Sequence, residues 1–190
     1  MNKILLIICG SIAASRCEEL IKLLNYNNFK TSCILTEEGK KYVRISNIKK
    51  LVKNRIFTDK SEIKNKMLHI NLSRENDLIV VFPATANTIA KFANGYGDNL
   101  SSNTLLAANK NILFAPAMNS YMWNNKANQK NIRILKKRGH EFIGPKIGNL
   151  KCGEFGIGRL ENSKTILNVI TRKLENFNLL KNKKCLVTAG

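Results

Sequence analysis

Residues 3–36 read KILLIICGSIAASRCEELIKLLNYNNFKTSCILT. The run at residues 3–9 is apolar without a break, which is how a strand covered on both faces reads. Gly10 and Ser11 make a turn, and residues 12–27 then repeat apolar side chains at Ile12, Leu20, Leu23 and Leu24, one face of a helix. Residues 31–36, TSCILT, read as a second strand. Two strands joined through a helix of that length lie parallel, because only a crossover connection returns the chain to the same end of a sheet.

The alternation continues outward from this unit. Strands are expected at residues 78–82, 112–114 and 141–143, with helices at 85–93, 120–137 and 163–177 and a fainter helical pattern at 47–53. This is the α/β class: an open, doubly wound parallel sheet of three layers, Rossmann- or flavodoxin-like. Residues 144–160 hold five glycines and a proline with no sustained period, so they read as a long loop, and loops of that length in a compact domain usually serve function. Residues 1–180 are assigned to one domain. Residues 181–190 end in a strand-like run into Ala189 and Gly190, the opening of a truncated second domain or a linker.

The formal charge is +19, but it comes from 24 Lys and only 8 Arg spread along the chain among 26 Asn. Nucleic-acid readers cluster arginine and interleave aromatics, so a solvated lysine-rich surface is the better reading and no nucleic-acid partner is expected. No window approaches the roughly 20 apolar residues that span a bilayer, so no membrane partner is expected either. Cys9, Cys17, Cys33, Cys152 and Cys185 are odd in number and form no C-x-x-C pair, which suits free thiols in the cytoplasm and no metal site.

Chemistry should sit in the loops that leave the carboxyl ends of the strands. Gly10, Ser11 and Ile12 follow the first strand, where free backbone N–H groups can hold a phosphate; the same residues also make an ordinary tight turn. Thr36 ends the second strand and either faces that crevice or caps a helix. Pro83-Ala84-Thr85-Ala86-Asn87-Thr88 and Pro116-Ala117-Met118-Asn119-Ser120-Tyr121-Met122-Trp123 occupy matching places after two later strands. Capping accounts for one Thr or Asn, not for the whole of the first run.

These two segments resemble the P-A-S-A-N-T and P-x-M-N-x-x-M-W motifs of the homo-oligomeric flavin-containing cysteine decarboxylases, with Thr85 as the one departure in the first. Residues 152–160, CGEFGIGRL, are similar to that family's substrate clamp A-C-G-x-x-G-x-G-R-M, with Lys151 in place of Ala and Leu160 in place of Met. Residues 186–190, LVTAG, resemble the opening of a ligase domain fused to some members in coenzyme A biosynthesis. The resemblance implies FMN as cofactor, held by Gly10, Ser11, Ile12, Thr36, Thr85, Ala86, Asn87, Thr88 and Ala117. It implies 4'-phosphopantothenoylcysteine as substrate, near Asn119, Met118, Lys151 and Arg74. It also implies a homo-trimer, or an assembly of trimers, with flavin near the subunit interface.

Direct loss of carbon dioxide from a cysteine carboxylate leaves a carbanion without an acceptor. The resemblance implies the remedy: oxidation to a thioaldehyde, decarboxylation to an enethiolate, and re-reduction to 4'-phosphopantetheine. His69 is the implied proton handler, and its ordinary pKa of ~6.5 suits that work, whereas a lone histidine is otherwise more often structural. Asn119 is implied to hold the carboxylate and Cys152 to give the final proton. His140 matches no motif and reads as structural. Two relatives of the same fold remain alternatives, a peptidyl-cysteine oxidative decarboxylase that stops at the enethiol and an inactive flavin-binding regulatory subunit. Cys152 argues against the first, and the three site residues together against the second.

Overall fold

The computed structural model describes residues 1–53, 55–64, 67–151 and 153–179. Six strands, β1 (Lys3–Ile8), β2 (Lys30–Leu35), β3 (Ile56–Phe57), β4 (Leu78–Ala84), β5 (Ile112–Pro116) and β6 (Glu141–Phe142), form a parallel sheet in the order β3-β2-β1-β4-β5-β6. The chain runs outward from β1 to β3, returns to pair β4 beside β1, and then runs outward the other way. The crevice at which such a sheet binds ligands therefore opens between the carboxyl ends of β1 and β4. Ile4 pairs with Thr31 on one side and Leu78 on the other.

Strand parity sorts the core into two layers. Ile4, Leu6 and Ile8 of β1, with Val80, Phe82, Leu113 and Ala115, face α1 (Cys17–Tyr26), α2 (Ile45–Leu51) and α9 (Ser163–Leu179). Leu5, Ile7, Ile79, Val81, Ile112 and Phe114 face α4 (Leu68–Glu75), α5 (Ala86–Ala93), α6 (Leu100–Leu106) and α8 (Lys126–Lys137). All six residues of KILLII except Lys3 are buried, which is why the first run shows no alternation. Phe92, Phe114 and Phe142 stack along the second layer, and His140 joins them 4.9 Å from the Phe92 ring centroid. His140 Nδ1 accepts from Ile112 N at 3.2 Å, so its place is structural.

Local polar groups reset several sequence-based boundaries. The helix expected over residues 12–27 begins as a 3-10 turn, Ile12–Arg16, because Ser11 caps Ala13 N and Ser15 Oγ donates to Ile12 O at 2.9 Å; α1 starts only at Cys17. The helix expected over 120–137 is two, α7 (Ser120–Asn124) and α8, parted at Asn125, whose extended backbone lets its side chain cap Ala127 N. α3 (Asp59–Lys64), α6 and the two-residue β3 were not expected; in the structure Asn99 and Ser102 form a capping box at the start of α6.

The expectation of a long loop at 144–160 is corrected. Residues Lys146–Asn149 (β7) and Phe155–Arg159 (β8) pair as an antiparallel hairpin outside the main sheet. Its glycine-rich strands bury little apolar surface, so no hydrophobic alternation announces them. They hold because β8 lies flat on the loop after β5: Met118 N donates to Gly158 O at 3.0 Å. A Cβ at Gly156 would strike Ser120 Oγ, and one at Gly158 would strike the Met118 carbonyl. Cys152 and residues 181–190 lie outside the described residues.

Candidate active site

Two cavities open at the carboxyl end of the sheet. The first, about 490 Å³, is lined by Gly10, Thr36, Thr85, Ala86, Asn87 and Thr88, six of the nine residues expected to hold the cofactor. Thr85 caps α5 by accepting from Thr88 N at 3.2 Å, and its hydroxyl meets the Thr88 hydroxyl at 3.0 Å. Thr88 Oγ1 in turn donates to Cys9 Sγ at 3.3 Å, which ties the loop after β4 to the end of β1 across the switch point. Burial pushes the Cys9 thiol up to about 11, so it stays protonated and acts as an acceptor here, not a nucleophile. Phe92, Leu105 and Met122 give the same cavity an apolar side.

The first turn of α5 on this wall fits the phosphate of a phosphorylated planar cofactor, while Glu37, Glu38, Asp59 and Lys91 also line the cavity. The first-turn N–H groups of an α-helix lack helical partners and attract an anion, and α5 presents its first turn with two threonine hydroxyls and Asn87 around it. Thr36 is differently engaged: its hydroxyl donates to Ile8 O at 3.1 Å and accepts from Gly39 N at 3.0 Å, so it braces the turn while lining the wall. Gly10 is where a side chain cannot go, because a Cβ would collide with Glu38.

The second cavity, about 670 Å³, is lined by Ser11, Ile12, Ala117, Met118, Asn119 and Lys151, together with Arg16, Asn149 and Arg159. It joins the remaining three expected cofactor residues to three of the four expected substrate residues. Asn119 Oδ1 accepts from Tyr121 N at 2.8 Å and Met122 N at 3.4 Å, capping α7. The cap fixes the amide's direction, turning Nδ2 outward, where it donates to the Glu154 carboxylate on the hairpin.

His69 and Arg74 line neither cavity. Both are on α4, where Arg74 is exposed and His69 Nδ1 lies 2.7 Å from Glu62 Oε1, a close approach without hydrogen-bond alignment. The two cavities of one chain therefore take in the Thr85–Thr88 run in one and Asn119 with hairpin residues in the other, but not His69. Sequence reasoning missed Glu62 and Glu154. Glu154 stood inside the quoted clamp segment at a variable position, and only its contact distinguishes it.

A family model described as Flavoprotein matches residues 1–175. The chain belongs to the flavoprotein family. It is 35% identical over 191 residues, all of this chain, to the coenzyme A biosynthesis bifunctional protein CoaBC of Borreliella burgdorferi, and covers 49% of that protein. It is 35% identical over 177 residues to a probable phosphopantothenoylcysteine decarboxylase of Streptococcus mutans, covering 91% of this chain and 99% of the other. The chain thus spans about half the length of its bifunctional relatives and nearly all of the single-function one. Among solved structures, a PPC decarboxylase variant complexed with pantothenoylaminoethenethiol superposes with a TM-score of 0.86 at 28% identity, over 92% of this chain and 98% of the other. The FMN-binding protein AtHal3 gives 0.83 at 29% identity, over 92% and 97%. Within the family, the structural neighbours agree with the doubly wound sheet described above.

Proposed function

We propose that this chain is an FMN-dependent decarboxylase that converts 4'-phosphopantothenoylcysteine to 4'-phosphopantetheine in the cytoplasm, through thioaldehyde and enethiolate forms of the substrate. One observation carries the reading: the Asn119 amide, locked by its own helix cap, lines a cavity at the carboxyl end of the sheet and donates to a carboxylate, that of Glu154. The names of the relatives support the substrate, and the FMN-binding neighbour supports the cofactor.

FMN, when bound, supplies a hydride acceptor and donor. Gly10, Thr36, Thr85, Ala86, Asn87 and Thr88 would hold it in the smaller cavity, with Ser11, Ile12 and Ala117 at the border of the larger. Asn119 would hold the substrate carboxylate through its amide donors, while Met118 and Lys151 would line the substrate's path. His69 moves the thiol proton, and Cys152 returns a proton to the enethiolate carbon. Because His69 lines neither cavity of one chain, the complete site is assembled between copies, as in a homo-trimer or a larger assembly of trimers. Exposed Ile63 and Met67 beside His69, and Tyr121 and Met122 beside Asn119, supply apolar surface for that contact. Arg74 reaches the site only in such an assembly. Residues 1–180 form the decarboxylase domain, and 181–190 are the start of a second, ligase-like domain or a linker.

Carbon dioxide release from the phosphorylated cysteine substrate by FMN-loaded protein tests the assignment. Asn119→Ser keeps a capping oxygen but removes the amide donors, and it should lose at least tenfold in kcat/KM, the cost of a hydrogen bond of about 1.5–3 kcal/mol to a charged group. Wild-type rates in that variant would overturn the assignment of the carboxylate site.

A further inference from the structure

We propose that Glu154 is an internal stand-in for the substrate carboxylate, occupying the Asn119 amide until substrate displaces it and reclaiming the amide once decarboxylation has removed the competitor. The proposal rests on the reading of Asn119 as the carboxylate site.

The geometry leaves the amide little freedom. Asn119 Oδ1 accepts from the backbone N–H groups of Tyr121 and Met122, so Nδ2 is the amide's donor side. One group that Nδ2 meets in the structure is a carboxylate thirty-five residues along the chain. Glu154 is delivered there by backbone rather than by chance reach. The hairpin turn closes with Leu150 N to Glu154 O at 2.8 Å and Gly153 N to Leu150 O at 3.1 Å. Just beyond, the Met118 N to Gly158 O bond pins β8 to the Asn119 loop. The chemistry of the contact is that expected of the substrate: an amide N–H donating to a carboxylate oxygen, beside a cavity that Asn119 and Lys151 share.

Two carboxylates on one amide repel, so binding is an exchange. A ligand with a carboxylate must release Glu154; a ligand without one leaves it in place. The product differs from the substrate by that group alone, so recapture of Asn119 by Glu154 favours release of product over return of substrate.

The test uses a non-reacting pair on the FMN-loaded full chain: the S-methyl thioether of 4'-phosphopantothenoylcysteine, which keeps the carboxylate, and that of 4'-phosphopantetheine, which lacks it. Their dissociation constants are measured by calorimetry for wild type, Glu154→Gln, Glu154→Ala and Asn119→Ser, with the flavin spectrum as the check of fold. Removing the competitor should tighten the carboxylate probe by roughly three- to tenfold, the scale of one net hydrogen bond, and more in Glu154→Ala than in Glu154→Gln. The other probe should move by less than about twofold. Equal shifts for both probes, or weaker binding of the carboxylate probe, would overturn the stand-in role. Asn119→Ser separates the two readings. If it abolishes the preference for the carboxylate probe while the Glu154 variants change nothing, the stand-in alone fails. If it leaves the preference intact, the carboxylate binds elsewhere and both readings fail.

Discussion

Gly158→Ala is the perturbation that most sharply probes how the hairpin makes the site. Gly158 has φ +147°, and a Cβ there would run into the Met118 carbonyl and come within 3.4 Å of the Asn119 carbonyl carbon. Backbone cannot yield as a side chain can. The strained dihedral costs on the order of 1–3 kcal/mol, and losing the Met118 N to Gly158 O bond adds about 1 kcal/mol, so the hairpin should be held about 2–4 kcal/mol less firmly. Gly153→Ala is the matched control: φ is +88°, but nothing lies within 4 Å of the added carbon, so only the dihedral cost remains. Since the hairpin stands outside the main sheet, it can lift without global unfolding, and the shift in melting temperature should stay below the full ~5–15 °C that such a loss gives a domain this size. The dissociation constant of the carboxylate thioether is the better readout. It should weaken by about tenfold or more in Gly158→Ala, at 1.4 kcal/mol per decade, and by clearly less in Gly153→Ala. Equal stability and equal binding in the two variants would refute the claim that flat backbone contact positions the clamp.

Gly10→Ala should destabilise the fold by about 1–3 kcal/mol through its collision with Glu38 and weaken FMN retention, measured by flavin fluorescence on dilution; a normal variant would show that the turn is not close-packed. Cys152→Ser should yield a decarboxylated product that is not re-reduced, lighter by two hydrogens than 4'-phosphopantetheine; ordinary product in mass spectrometry would remove Cys152 from the proton-donor role. His140 gives a pH test. Burial, with the Arg138 charge second, holds its pKa below the ordinary histidine value, so the folded chain refuses a proton that the unfolded chain accepts near ~6.5. The stability contributed by neutral His140 is whole above that pH and is lost as pH falls below it, so urea midpoints should drop between about pH 7 and pH 5 and His140→Asn should flatten the drop. A slope that survives the substitution would place the titrating group elsewhere.

The sheet was legible because parallel strands buried on both faces show as unbroken apolar runs, as KILLII does at residues 3–8. The hairpin was not, because β7 and β8 are held by close backbone approach at Gly156 and Gly158, and glycine carries no hydrophobic pattern. The helices failed at their ends for a related reason: Ser15 and Asn125 compete locally for backbone groups, which a period of 3.6 does not register. At the site, Thr85 to Thr88 and Asn119 stood out as hydroxyl and amide groups massed where strands end. Glu154 did not, since a surface glutamate on a loop looks like any other until its partner is known. Nor does sequence spacing show that His69, on α4, lines neither cavity, a fact of three-dimensional placement alone.

Incubating the FMN-loaded protein with 4'-phosphopantothenoylcysteine and weighing the product decides whether this chain is the proposed decarboxylase. A product lighter than substrate by carbon dioxide alone, formed by a yellow protein over many turnovers, is the expected result. A product lighter by a further two hydrogens, or flavin bound tightly with no carbon dioxide released, would contradict it.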